Sequence, residues 1–265
     1  MIEQIAGGLL FLFGTFIGSF LNVVILRYLN GKNMVTDRSA CPRCGGTLRW
    51  WELIPILSFV LLRAKCSRCR APISAQYPIV EFTMGLALVL LGSAVLYSSL
   101  HPLIAILSGV AIALLIVLFV IDLYTMLLPD VFVGILTIIA FFLIITRFQL
   151  LTTNYKLLTL SSVSGLVIGA GFLLFLYLIT KGKGIGFGDV KLMIPLGLIF
   201  GGWGAVILLL LSFISGGLVS LALLSKGRAT MKTAIPFGPF IAGSAILLLL
   251  FPQLQQAIRY LLWPV

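Results

Sequence analysis

The chain has 265 residues, 61% of them hydrophobic and only 9% charged, with a mean hydropathy of +1.21. That composition excludes an ordinary soluble domain, and apolar runs of about 20 residues are long enough to cross a bilayer as helices. The net charge of +11 would suit a nucleic-acid partner in a soluble protein. Here the basic residues cluster beside apolar runs, where membrane orientation and anionic headgroups account for them, so no nucleic-acid partner is expected.

The fold class read from the pattern is all-α, a polytopic integral membrane protein with about eight transmembrane helices. They fall at roughly 4–26, 78–97, 102–121, 131–148, 159–180, 190–201, 203–224 and 237–252. The first run has no Lys or Arg before Arg27, carries Glu3, and is too long for a signal-peptide core, so it reads as a retained helix. Gly201 and Gly202 leave only a minimal turn between the sixth and seventh.

Eight spans put the loops 27–77, 122–130, 181–190 and 225–236 on one side. Arg27, Lys32, Arg38, Arg43, Arg49, Arg63, Lys65, Arg68 and Arg70 fall in the first loop. Lys181, Lys183 and Lys191 flank the third, and Lys226, Arg228 and Lys232 lie in the fourth. Only Arg147, Lys156 and Arg259 fall elsewhere, so the positive-inside rule makes this side cytoplasmic. Asp122, Asp130 and Asp189 map to the same face.

The first loop, about 50 residues, is too small to build a large core of its own. It contains all four cysteines, as Cys41-Pro-Arg-Cys44 and Cys66-Ser-Arg-Cys69, two knuckles separated by 21 residues. Four thiolates at this spacing fit a closed tetrahedral Zn2+ site that supplies folding energy, with no ligand position left open for catalysis. A reducing cytoplasm disfavours the rival reading of two disulfides. Between the knuckles, Leu48 to Leu62 is apolar but too short to span, and reads as an interfacial or re-entrant hairpin with Trp50 and Trp51 at headgroup level. Glu52 in it reads as a solvated interfacial charge, with a catalytic role as the alternative.

Seven acidic residues remain to be weighed. Glu3 and Asp37 look like solvated loop charges. Glu81 follows Tyr77-Pro78 into the second helix, where the helix dipole favours a carboxylate; a secondary acid role is the alternative. Asp122 closes an apolar run, a place where the dipole disfavours an acid and a basic residue would stop transfer better. Asp130 follows Pro129 at the start of the next helix, an ordinary position for an acid. Asp189 sits in Gly184-Ile-Gly186-Phe-Gly188-Asp189-Val-Lys191, the glycine-richest run of the chain. Those glycines remove side chains, so a substrate backbone can approach. Asp122 and Asp189 are therefore the expected reactive pair, with Asp130 a possible secondary acid. Brought together, one carboxyl keeps a proton, the other accepts one, and a water between them can attack a carbonyl. The single histidine, His101, falls in the expected outer loop with no plausible acid or nucleophile nearby, which argues against a Ser-His-Asp arrangement, and no Walker or HExxH motif is present.

These motifs, taken in order, resemble the type IV prepilin peptidase family, bifunctional leader peptidases and N-methyltransferases of pilus, type II secretion and competence systems. Gly18 to Arg27 is similar to the family's first-helix exit, Cys41 to Cys69 to its cytoplasmic zinc loop, and Ile73 to Glu81 to the segment after it. Ile121-Asp122 through Pro129-Asp130 resembles its first aspartate motif, and Gly186-Phe-Gly-Asp189-Val-Lys191 its G-x-G-D motif. The resemblance implies a membrane aspartic endopeptidase in the bacterial cytoplasmic (inner) membrane, with Asp122 and Asp189 catalytic on the cytoplasmic side. It implies removal of the short basic leader of a prepilin or pseudopilin after a Gly, and methylation of the new N-terminal residue from S-adenosylmethionine. The implied division is a first transmembrane helix at 1–28, a zinc loop associated with methyl transfer at 29–77, and a membrane-embedded peptidase domain at 78–265. Two positions depart from the family's usual pattern: Leu53 stands where Asn is frequent, and Ala64 where Gly precedes the second knuckle.

Two rival readings remain at this point. A presenilin-like intramembrane protease shares the G-x-G-D logic but lacks the zinc loop. A proton-coupled transporter or assembly component would carry polar residues through several helices at the midplane, and the runs here are nearly uniformly apolar.

Overall fold

The computed structural model describes all residues except 1, 32–38, 99, 151–154, 229, 231–232 and 263–265. Lys32, Asp37, Arg38 and Lys232 lie outside the described residues, as do the side chains of Glu3 and Lys156. The elements are helices: α1 (Ile2–Leu29), a 3-10 turn (Trp50–Leu53), α2 (Leu57–Leu61), α3 (Gln76–Tyr97), α4 (Pro102–Thr125), α5 (Asp130–Leu150), α6 (Tyr155–Thr180), α7 (Phe187–Ser225), α8 (Gly238–Leu250) and α9 (Pro252–Leu262). Six of them are long and apolar enough to cross a membrane, or up to seven if the bent α8–α9 pair counts as one span. The chain divides into two compact units, Met1–Leu100 and His101–Val265.

In the first unit α1 packs along α3. Asn22, almost fully buried among apolar side chains, locks the pair: its Nδ2 donates to the carbonyls of Gly18 and Tyr77, and its Oδ1 accepts from Gln76 Nε2. A buried amide needs such partners, which is why it can sit there. The segment between α1 and α3 carries the two knuckles, each closed by one bridge, Ala40 with Thr47 and Lys65 with Pro72. The knuckles share one logic. The carbonyls of Cys41 and Cys66 each accept from the residue four on, Gly45 and Arg70, both at positive φ (68° and 58°). Ala64, where the resembling family favours glycine, also stands at positive φ (56°). A left-handed backbone explains that preference for glycine.

In the second unit α4 is the most enclosed helix, packed against α5 and α8. His101 starts it as N-cap, its Nδ1 accepting from Leu103 N–H at 3.2 Å, a structural task that occupies the only histidine. The sequence placed the end of this helix at 121. It continues instead to Thr125 and stops where Met126 turns left-handed (φ 54°) and donates its N–H to Asp122 O. Nothing before Leu128-Pro129 breaks the helix, and an acid is tolerated inside its last turn once the side chain finds a donor.

The expected sixth and seventh helices form the continuous run α7, interrupted at Gly201 (φ 70°, ψ −177°). That backbone is open essentially to glycine alone. Met193 and Ala205 both pack at Gly169 of α6. A straight helix would hold them about 18 Å apart, so α7 folds sharply at Gly201. The first half ends by giving the Ile199 carbonyl to Arg147 of α5 at 2.7 Å, which satisfies a helix-end acceptor away from water. The expected eighth span is short: α8 has 13 residues, and after a 101° bend α9 follows as an amphipathic helix of the kind that lies along a surface.

Candidate active site and metal centre

Asp122 in the last turn of α4 and Asp189 in the first turn of α7 come together in the second unit, both buried, at 4% and 7% exposure. The two carboxyls lie within electrostatic reach of each other. Each carboxylate is held by one glycine N–H. Gly186, the extended N-cap of α7, donates to Asp189 Oδ2 at 3.2 Å, and Gly238, the first residue of α8, donates to Asp122. Leu128, from the loop between α4 and α5, packs against both Gly188 and Gly238 and so fills the space behind the pair.

Gly238 went unnoticed in the sequence. It lies in Pro236-Phe-Gly-Pro-Phe240, a glycine boxed between prolines at a helix start, and that punctuation is the signal that could have found it. A Cβ there would stand 2.5 Å from Asp122 Oδ2, so the carboxylate and the N–H meet only because this residue has no side chain.

The other acids are placed elsewhere. Asp130 is exposed and bonds Lys191 Nζ at 2.7 Å, and the same ammonium lies 5.2 Å from the Phe187 ring. Glu81 is buried in the first unit, where it accepts the Ile56 N–H at 2.7 Å and a hydrogen bond from Ser19. Ile56 is the centre of a γ-turn, φ 59°, with Leu57 N–H reaching back to Pro55 O, an uncommon and strained conformation that the Glu81 bond anchors. Glu52 lies at the surface in the 3-10 turn; the Arg49 N–H at 2.6 Å, then the Ser67 hydroxyl, hold its carboxyl below the usual range.

Beside the aspartates an apolar groove of about 250 Å3 opens between Gly184, Ile185, Phe213, Gly216, Phe237 and Phe240. One wall, Gly184-Ile185, runs into Gly186. The other, Phe237, runs into Gly238. The groove therefore begins one residue from each of the two donors that hold the carboxylates.

In the first unit the four sulfurs of Cys41, Cys44, Cys66 and Cys69 lie within 4.8 Å of one another, with Cys41 Sγ 3.9 Å from Cys69 Sγ. Tetrahedral Zn–S bonds of ≈ 2.3 Å require sulfurs about 3.8 Å apart, so the set fits zinc. The N–H groups of Cys69 and then Arg68 pull the Cys66 thiol down to about 7, whereas Cys69 rises to about 11, the Ala71 N–H being outweighed by desolvation and the neighbouring sulfurs. Four thiolates in one cluster coexist only around a metal.

Paired buried carboxylates at helix ends of a membrane protein are the equipment of acid–base hydrolysis. The chain matches the family model described as the type IV leader peptidase family over residues 109–221, and that of the bacterial peptidase A24 N-terminal domain over 12–95. It is 32% identical over 277 residues to a prepilin leader peptidase/N-methyltransferase of Burkholderia pseudomallei, covering 90% of this chain and 83% of that protein. It is 35% identical to the protein of that name from Pseudomonas aeruginosa, covering 87% and 85%. A Myxococcus xanthus protein of the same name is 53% identical over 77 residues, 29% of this chain and 23% of that protein. No solved structure matches. The chain belongs to the type IV leader peptidase family.

Proposed function

We propose that this protein is a membrane aspartic endopeptidase that removes the leader of prepilins or pseudopilins, and that it methylates the new N-terminal residue with S-adenosylmethionine as donor. The observation that carries the first activity is the burial of Asp122 and Asp189 together, each fixed by one glycine N–H. One carboxyl holds a proton and the other accepts one. The acceptor takes a proton from a water held between them, the water attacks the scissile carbonyl, and the protonated partner donates to the carbonyl oxygen. The dry site strengthens these interactions. The groove from Gly184 to Phe240 suits the apolar segment that follows the scissile bond, and the open backbone at Gly184, Gly186 and Gly188 suits an extended leader peptide.

The names of the relatives and the family resemblance support methyl transfer. Its assignment to the region around residues 29–77, with the peptidase in the following membrane domain, is part of the same proposal. Cys41, Cys44, Cys66 and Cys69 would hold a structural zinc ion. The distribution of Lys and Arg supports a cytoplasmic location for both sites in a bacterial inner membrane.

The test is a cleavage assay with a co-expressed prepilin. Asp122→Asn and Asp189→Asn each lower leader removal by at least about a thousandfold, in line with the loss of an essential acid or base, while Asp130→Asn, which breaks only the exposed pair with Lys191, retains most of it. Equal cleavage by all three variants would remove the two-carboxylate mechanism. The mass of the processed pilin reads methylation separately.

A further inference from the structure

Apart from the aspartate site, the zinc loop carries a cavity of about 300 Å3 lined by Leu61, Arg63, Lys65, Cys66, Ser67 and Arg70. Three cations converge on it, and among the described residues no carboxylate pairs with any of them. Glu52, the one acid among the described residues of the loop, is engaged by the Arg49 N–H and the Ser67 hydroxyl. Residues 39–75 contain six cations (Arg43, Arg49, Arg63, Lys65, Arg68 and Arg70) against that one carboxylate. A zinc ion held by four thiolates would add two negative charges, which still leaves a surplus of three positive ones.

The backbone makes the arginines harder to dismiss as solubilising charge. Arg63 and Arg70 stand at φ 50° and 58°, in the left-handed region that favours glycine. In the first knuckle the position matching Arg70 is Gly45 at φ 68°. The second knuckle thus keeps an arginine where its twin has the unstrained residue. Alongside lies an apolar row. Leu57, Val60 and Leu61 share one face of α2 and are 51%, 63% and 72% exposed. The loop leaves one membrane-spanning helix at Leu29 and enters the next at Gln76, so it is tethered to the bilayer surface at both ends. Hydrocarbon beside anionic phosphate is what that surface offers.

We propose that Arg63, Lys65 and Arg70 seat the phosphate of an anionic phospholipid headgroup, with Leu57, Val60 and Leu61 dipping into the same leaflet.

The test uses the full chain in nanodiscs of phosphatidylcholine alone or with phosphatidylglycerol, followed by hydrogen–deuterium exchange of residues 57–72 and by zinc analysis. Phosphatidylglycerol slows exchange there about tenfold, as expected for three cations near an anionic surface. The triple variant Arg63→Asn, Lys65→Gln, Arg70→Asn, with asparagine chosen because it tolerates the left-handed backbone, loses that slowing and keeps its zinc. The double variant Lys226→Gln, Arg228→Gln removes charge elsewhere and leaves the slowing intact. Equal exchange in both lipid compositions overturns the proposal, as does slowing that survives in the triple variant. Inorganic phosphate reproducing the effect in phosphatidylcholine discs would make the ligand a free anion instead of a lipid. Loss of zinc from the triple variant would assign the cations to the metal centre.

Discussion

Asp122 owes its orientation to a residue far along the chain. Gly238 gives it a backbone N–H and, by having no Cβ, the room to accept it. The atom that a methyl group would strike is the end of a rotatable carboxylate, so Gly238→Ala can be accommodated by turning Asp122 away. Stability and activity should therefore separate. The variant is expected to fold, with Tm in detergent shifted by only a few degrees. Its leader cleavage should fall by about one hundredfold in kcat, because displacing a catalytic group by about 1 Å costs that much and the charge-assisted bond is lost as well. A Tm loss as large as the activity loss would make Gly238 a packing residue only. Residues at this scale were partly legible. Asp122 and Asp189 stand out because carboxylates beside hydrocarbon demand a reason. Gly238 and Asn22 do not, since a glycine or an amide shows its purpose only when its partner from another helix is in place.

At the scale of elements, the apolar runs announced nearly every helix, and the C-x2-C spacing announced the knuckles. The ends of helices were less legible. The boundary at 121 failed because a charge in the sequence looks like an edge, whereas the helix runs on until a left-handed residue and a proline stop it. The pair Gly201-Gly202 did mark a break, and its nature follows from the backbone: φ 70° with ψ −177° is accessible to glycine alone, and Ser161 of α6 occupies the space where a Cβ would go. Gly201→Ala is therefore expected to destabilise the second unit by about 2–4 kcal/mol, adding backbone strain to overpacking. Thermal unfolding in detergent measures it. Gly202→Ala meets only the Ser164 hydroxyl closely at ordinary φ and should cost less than half as much. Equal losses for the two would mean that helix packing, and not the turn, limits this region.

At the scale of the whole molecule, the two kinds of chemistry fall in different compact units. The four cysteines belong to residues 1–100 and both aspartates to residues 101–265. Among the described residues the loop around the cysteines has no helix longer than α2 and little core, so a bound zinc ion, which can supply of order 10 kcal/mol of binding free energy to a small domain, is expected to order it. The second unit is held by buried apolar packing among α4, α5, α6, α7 and α8 and uses no cysteine. Stripping zinc with a chelator, or replacing Cys41 and Cys44 with serine, should thus raise hydrogen exchange across residues 39–75 to nearly unprotected rates. Exchange in α4 and α7 should stay within about twofold of the holoprotein, since cooperative units of one chain can open separately. Exchange that rises together in both units would show that the metal stabilises the aspartate site from a distance. If neither unit changes, the thiol cluster orders itself without a metal.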